Sequence, residues 1–182
     1  MSPAQREWLE TFSEMAAADQ KSLLGRYRLM DVLLRKLNQV KEHIEETLSA
    51  RSPLEKYEDA EENLRERWEK ELKAAIEAEY RGQRADFLLA LQWWLRDVWL
   101  HTLGIVQSPM SNVQSPESKH VSPTSETLLV FPEMEGTKRV AQRISAKAAM
   151  ENLRIIEQLQ RWLHTNVQEA LAMEVGLLKL HL

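Results

Sequence analysis

The residue pair with the best spacing for acid–base chemistry is Asp97 and His101, four positions apart in a stretch of strong helix formers. A helix places such residues on one face, where a carboxylate can orient an imidazole. Catalysis would also require a nucleophile or a metal ion, and the sequence identifies neither for this pair. A structural hydrogen bond, or exposure to solvent, is therefore the favoured interpretation of Asp97 and His101.

Metal and cofactor chemistry have little support in the sequence. The chain of 182 residues has no cysteine, which excludes disulfides, thiolate zinc sites and a cysteine nucleophile. Helical bundles hold di-metal centres through Glu-x-x-His motifs on inward faces. The one such motif here, Glu117 to His120, lies in a stretch rich in Ser-Pro pairs. We therefore predict no metal, no cofactor and no catalytic residue, and a helical-bundle metalloenzyme is a distant alternative.

Two charged residues lie among apolar neighbours in the sequence, Arg96 and Glu174. Burying either one without a partner would cost several kcal/mol. One hypothesis is that Glu174 pairs with an arginine of the core, with Arg96 as the first candidate and Arg161 as the second. The alternative is that both side chains extend to solvent at the edge of the bundle.

The tryptophans and basic residues of the sequence also raise the question of nucleic-acid binding. The net charge of −4 creates no global basic field. Tryptophans can stack on bases, but most of the six lie in apolar helical stripes, where core packing is favoured. The basic residues between Lys138 and Arg161 are interleaved with acids, which is more typical of a solvated face. The net charge and these patterns therefore do not favour direct binding of nucleic acid, although a local basic patch stays open.

The helices that position these residues are organised around residues 85–103, ADFLLALQWWLRDVWLHTL, which we call the hub. Its apolar residues cover nearly the whole circumference, which is typical of a central helix packed on several sides. Its internal arginine and aspartate argue against a membrane span. Gly104 is the expected C-cap. With few glycines and few β-branched runs, the predicted fold is an all-α helical bundle, a single domain over residues 1–182.

Three further segments complete the predicted architecture. Residues 20–80 read as two long antiparallel helices that form a projecting hairpin, and Gly82 is a candidate kink. Residues 107–125 contain three Ser-Pro pairs and few large apolar residues, which predicts a flexible loop. A short helix over residues 134–144 is weakened by Gly136, and a capping box from Asn166 to Glu169 opens the last helix.

The segments LLALQWWLRDVWL, ENLRIIEQLQRWLHTNV and NVQEALAMEVGLLKL follow one another in an order that resembles a known family. The chain resembles the C-terminal helical domain of bacterial clamp-loader subunits, most closely the delta-prime subunit of DNA polymerase III. Trp94, Arg96 and Asp97 match the W-x-R-D-like segment of that family. The family's later elements match Asn166, Val167, Leu171, Glu174, Leu177, Leu178 and Leu180.

The resemblance implies a collar role, in which such domains pack side by side in a ring of five subunits that opens a sliding clamp. It implies other clamp-loader subunits as partners, only indirect contact with DNA, and no chemistry in this domain. The ATPase modules of the family and their G-x-x-x-x-G-K-[ST] motif are absent, so the chain is expected to be a piece of a longer protein. Structural or interface roles are expected for Trp94, Arg96, Asp97, Trp99, Arg161, Asn166 and Glu174.

Two alternatives stay open at this point. The chain can belong to a gamma/tau-type subunit, because the charged hairpin and the Ser-Pro loop exceed a minimal delta-prime domain. It can also be a free-standing helical adaptor whose hairpin captures a partner helix. No apolar signal-peptide core is found near the start of the chain, so a cytoplasmic location without membrane contact is expected.

Overall fold

The computed structural model describes residues 1–18, 23–55, 57, 61–105, 128–165 and 167–182. This part of the chain is all-α, as predicted, and contains no strand. The predicted loop at 107–125, Asn166 and the start of the predicted hairpin at 20–22 lie outside the described residues. The helices are α1 Pro3–Ala17, α2 Leu23–Ser49, α3 Glu62–Thr102, α4 Glu135–Ala141, α5 Ala146–Leu163 and α6 Glu169–Leu178, with a 3-10 turn at Pro53–Glu55.

The longest element is α3, a continuous helix of 41 residues whose second half is the hub. Gly82 lies inside it without interrupting it, since one glycine in a helix interior costs only about 1 kcal/mol. The helix ends as predicted. Gly104 follows it with a φ of 67°, in the left-handed region that glycine adopts without steric cost.

The hub is central but not enclosed on every side. Helix α3 contacts α1, α2, α4 and α5, and Trp94 on its inner face is fully buried. The prediction that the hub is packed on nearly all sides does not hold at Leu89 and Trp93, which are 46% and 42% exposed. The other buried apolar residues of the hub are Phe87, Leu88, Ala90, Leu91, Leu95, Val98 and Leu100.

Helix α1 begins with an N-cap at Ser2 and packs on the hub through aromatic rings. The Ser2 hydroxyl accepts a hydrogen bond from the Gln5 amide, and the Gln5 side chain accepts one from the Ser2 amide, which forms a capping box. The Phe12 ring meets the Trp94 ring edge to face, with 5.8 Å between centroids. Such pairs add to the free energy gained by burial alone.

Helix α4 begins at Glu135, later than predicted, and Gly136 allows it to approach α1 closely. A Cβ at Gly136 would lie 2.6 Å from the backbone oxygen of Ser13. The sequence suggested that this glycine only weakens the helix. In the structure it is the residue that permits the α1–α4 contact, because any side chain there would collide with backbone.

We expect Gly136→Ala to lower the free energy of unfolding by about 1–3 kcal/mol, since the α1 backbone must shift to admit a methyl group. Gly82→Ala is the matched control, because nothing lies within 4 Å of its Cβ position. The control should raise the same quantity by about 0.5–1 kcal/mol through helix propensity. Urea unfolding followed by circular dichroism measures both, and equal effects of the two variants would refute the close-approach argument.

Candidate interaction surface

The Asp97 carboxylate is fully buried and fixes the chain segment that precedes α4. Its Oδ2 accepts hydrogen bonds from the backbone amides of Val130 at 2.8 Å and Phe131 at 2.7 Å. The Arg96 guanidinium lies 3.3 Å from Oδ1. Burial raises the pKa of Asp97, and the amides of Phe131 and Val130 act against that rise. Asp97 therefore anchors the carboxy-terminal helices to the hub.

His101 lies beside this anchor but is not part of it. Burial, assisted by the positive charge of Lys138, lowers the pKa of the half-buried His101 imidazole below its ordinary value. The imidazole is therefore neutral at neutral pH. The structure gives Asp97 backbone partners where the helical spacing had suggested His101, so the two residues do not form the oriented pair of a general acid–base site.

The neighbours of Asp97 on α3 face different environments. The Trp94 indole nitrogen donates a hydrogen bond to the Thr137 hydroxyl at 3.0 Å and joins the hub to α4. Arg96 points outward, where its Nη1 donates to the Leu128 carbonyl at 3.0 Å and its guanidinium lies 5.4 Å from the centroid of the Trp93 ring. Trp99 is half-buried. Arg96 therefore connects the exposed tryptophan to the segment after the predicted loop.

An exposed apolar surface surrounds Arg96. Its apolar members are each more than 40% exposed. Leu89, Trp93 and Val130 also line an open groove of about 700 Å³, together with the first residues of the chain. We call this set the hub surface: Leu89, Trp93, Arg96, Leu128 and Val130. Monomeric proteins seldom leave a large contiguous apolar patch in water, whereas interaction sites do. The hub surface offers apolar contact and one cation, and it contains no nucleophile.

The remaining predicted site residues are dispersed. Glu174 accepts a hydrogen bond from the Tyr27 hydroxyl at 3.1 Å, and within the described residues it forms no ion pair. The predicted pairing of Glu174 with Arg96 or Arg161 is therefore wrong. Arg96 is instead occupied by Asp97 and the Leu128 carbonyl, and Arg161 is exposed near the end of α5. Asn166 lies outside the described residues.

A buried polar cluster that sequence reasoning missed joins α3 to α6. Tyr80 and Arg84 both donate hydrogen bonds to the carboxylate of Glu169, and Arg84 also donates to the Leu163 carbonyl at 3.2 Å. Burial and the adjacent Glu169 raise the pKa of Tyr80 above its ordinary value, so its hydroxyl keeps its proton. The signal available in the sequence was the spacing of Tyr80 and Arg84, which continues an apolar stripe with a charged residue.

Comparisons with protein-family models, with curated proteins and with solved structures find no match for this chain. The structure itself defines the class as an all-α protein of six helices in its described part. Within that part, no helix has both the length and the apolar character needed to cross a membrane. The described side chains also include no group of three or more potential metal ligands.

Asp97→Ala should lower the free energy of unfolding by about 3–5 kcal/mol, because the backbone amides of Val130 and Phe131 lose their acceptor. Asp86→Ala is the control on the same helix. Asp86 is exposed, and its loss should change stability by less than about 0.5 kcal/mol. Urea denaturation measures both values. A mild effect of Asp97→Ala would mean that the segment before α4 is held by other contacts.

Arg84→Ala should cost about 2–3 kcal/mol, because it leaves the partly buried Glu169 carboxylate without its cation. The control is Arg81→Ala, which removes an exposed pair with Glu77 on the same helix and should cost under about 0.5 kcal/mol. Thermal and urea unfolding compare the two variants. Indistinguishable stabilities would show that the Tyr80–Arg84–Glu169 cluster does not hold α6 in place.

Proposed function

We propose that this chain is a non-catalytic module for protein assembly, and specifically a collar domain of a clamp-loader subunit, delta-prime-like, that takes part in DNA replication in the cytoplasm. The hub surface is the observation that carries the proposal. Leu89 and Trp93 lie on the central helix, where exposed apolar side chains reduce solubility unless a partner covers them. The choice of the clamp-loader family rests on the sequence resemblance in the hub and in the carboxy-terminal helices.

The buried polar groups support a role without chemistry. Asp97, Thr137 and Asn152 are buried, and each bonds a named partner elsewhere in the chain. A catalytic group must instead present a reactive atom to a substrate. The purified chain should therefore neither bind nor hydrolyse ATP, and its partners should be other clamp-loader subunits.

The predicted hairpin over residues 20–80, which we call the arm, is part of the same proposal. We infer that α2 and the first half of α3 form an antiparallel hairpin. The Lys41 ammonium group of α2 lies 5.8 Å from the centroid of the Tyr80 ring of α3, and the two helices are in contact. One observation favours the adaptor alternative, because Leu64 near the start of α3 is 40% exposed and offers a contact for a partner helix.

Binding to clamp-loader subunits separates the two proposals. We expect the full chain to co-elute with gamma/tau or delta subunits of its own organism in size-exclusion chromatography. Trp93→Glu should weaken that association by at least roughly tenfold, since a central aromatic contact contributes about 2 kcal/mol or more. Calorimetric titration measures the affinity. Circular dichroism must show that the variant remains folded, as the exposure of Trp93 predicts.

Leu64→Glu is the matched control on the arm. The collar proposal expects it to bind the subunits like the unchanged chain. Loss of binding through Leu64→Glu, with Trp93→Glu silent, would favour the adaptor. ATP turnover by the purified chain would contradict both proposals. Coding sequence for ATPase modules upstream in the same reading frame would support the collar.

A further inference from the structure

Helix α6 is apolar on two faces, and only one of them is packed by the described chain. Its outer side carries Val167 just before the helix, then Leu171 and Val175, and Trp162 of α5 lies beside them. Leu171 is 52% and Val167 44% exposed, and the shallow depression between these side chains is lined by apolar groups. We call this set the α6 outer face: Trp162, Val167, Leu171 and Val175. The inner face buries Ala172, Met173, Gly176 and Leu177.

A positively charged groove adjoins the α6 outer face at Trp162. The Lys179 ammonium group lies 5.7 Å from the centroid of the Trp162 ring, and both residues line an open groove of about 610 Å³ with Arg26 and Arg154. The acid in that lining is Glu151, which lies 3.4 Å from Arg154. The groove is therefore cationic on a chain whose net charge is −4.

We propose that the α6 outer face and this groove bind an amphipathic helix of a partner protein. The apolar stripe of that helix packs against Trp162 and Leu171, and acidic residues on its flank face Arg154 and Lys179. From Glu169 to Val175 helix α6 rises about 9 Å, so about two turns of a partner helix cover it. This inference uses neither the hub surface nor the proposed function, because it rests on other helices.

A protein helix fits this surface better than a nucleic acid does. A phosphate backbone requires a row of cations, whereas the side chains of the α6 outer face are all uncharged and Arg26 of the groove already donates to the Leu178 carbonyl at 3.0 Å. The apolar lining formed by Val167, Leu171 and Val175 matches aliphatic side chains laid into a groove, which is how amphipathic helices are recognised.

The test uses the full chain and designed peptide probes of about 14 residues, enough for nearly four helical turns. One probe carries leucines on one face and glutamates beside them, and the second has lysines in place of the glutamates. Fluorescence anisotropy should show the acidic probe binding at least roughly tenfold more tightly than the basic one, with an affinity that falls as salt is added.

Leu171→Glu should weaken binding of the acidic probe by roughly tenfold or more, since it places a charge in the apolar contact. The variant should remain folded, because a carboxylate in the first turn of a helix is favourable. Leu64→Glu is the control, with a leucine of similar exposure in the first turn of α3, and it should bind normally. Arg154→Glu should abolish the preference for the acidic probe, because it leaves two cations and two carboxylates in the groove lining.

Equal binding of the two probes, no binding of the acidic probe, or full binding by Leu171→Glu would each overturn the proposal. Binding of a single-stranded oligonucleotide that Leu171→Glu abolishes would assign the surface to nucleic acid. Self-association that the same variant abolishes would assign it to a second copy of this chain.

Discussion

The arrangement of the carboxy-terminal half depends on two hydrogen bonds. The backbone amides of Val130 and Phe131 donate them to the buried Asp97 carboxylate. Between α3 and α4 the chain covers 32 residues, Leu103 to Met134, and a connection of that length does not by itself fix where the next helix packs. A buried carboxylate that accepts two amide hydrogens does, because any other position of the segment leaves Oδ2 buried without its two hydrogen bonds. Trp94 extends the anchor to α4 through Thr137.

Local chemistry predicted much of the fold. The end of the hub at Gly104 and the buried face of α3 follow from rules that act within a few residues. Pairings between distant residues did not follow. Helical periodicity indicates which face of a helix is buried and says nothing about its partner. Glu174 therefore accepts a hydrogen bond from Tyr27 of α2 and does not pair with an arginine. Arg84 donates a hydrogen bond to Glu169, 85 positions away.

The same limit explains the hub. An apolar row on a helix indicates that something covers it, and the pattern is identical whether the cover is the same chain or another protein. The row with Leu88 and Leu91 is covered by neighbouring helices, whereas the row with Leu89 and Trp93 is not. Sequence reasoning assigned both rows to the core because nothing in their spacing distinguishes a core from an interface. Helix α6 repeats this ambiguity with Leu171.

Folding and association use adjacent positions of one helix in the proposed module. Trp94 and Asp97 face inward, and their loss leaves groups of the carboxy-terminal half without their hydrogen-bond partners. Trp93 and Arg96 face outward, and in the proposal they contact a partner. Because consecutive residues of a helix differ by about 100° in direction, a change at Trp93 leaves the inward packing intact. A partner surface on such a helix can therefore diverge without unfolding the bundle. That separation suits a domain whose proposed role is to hold different neighbours.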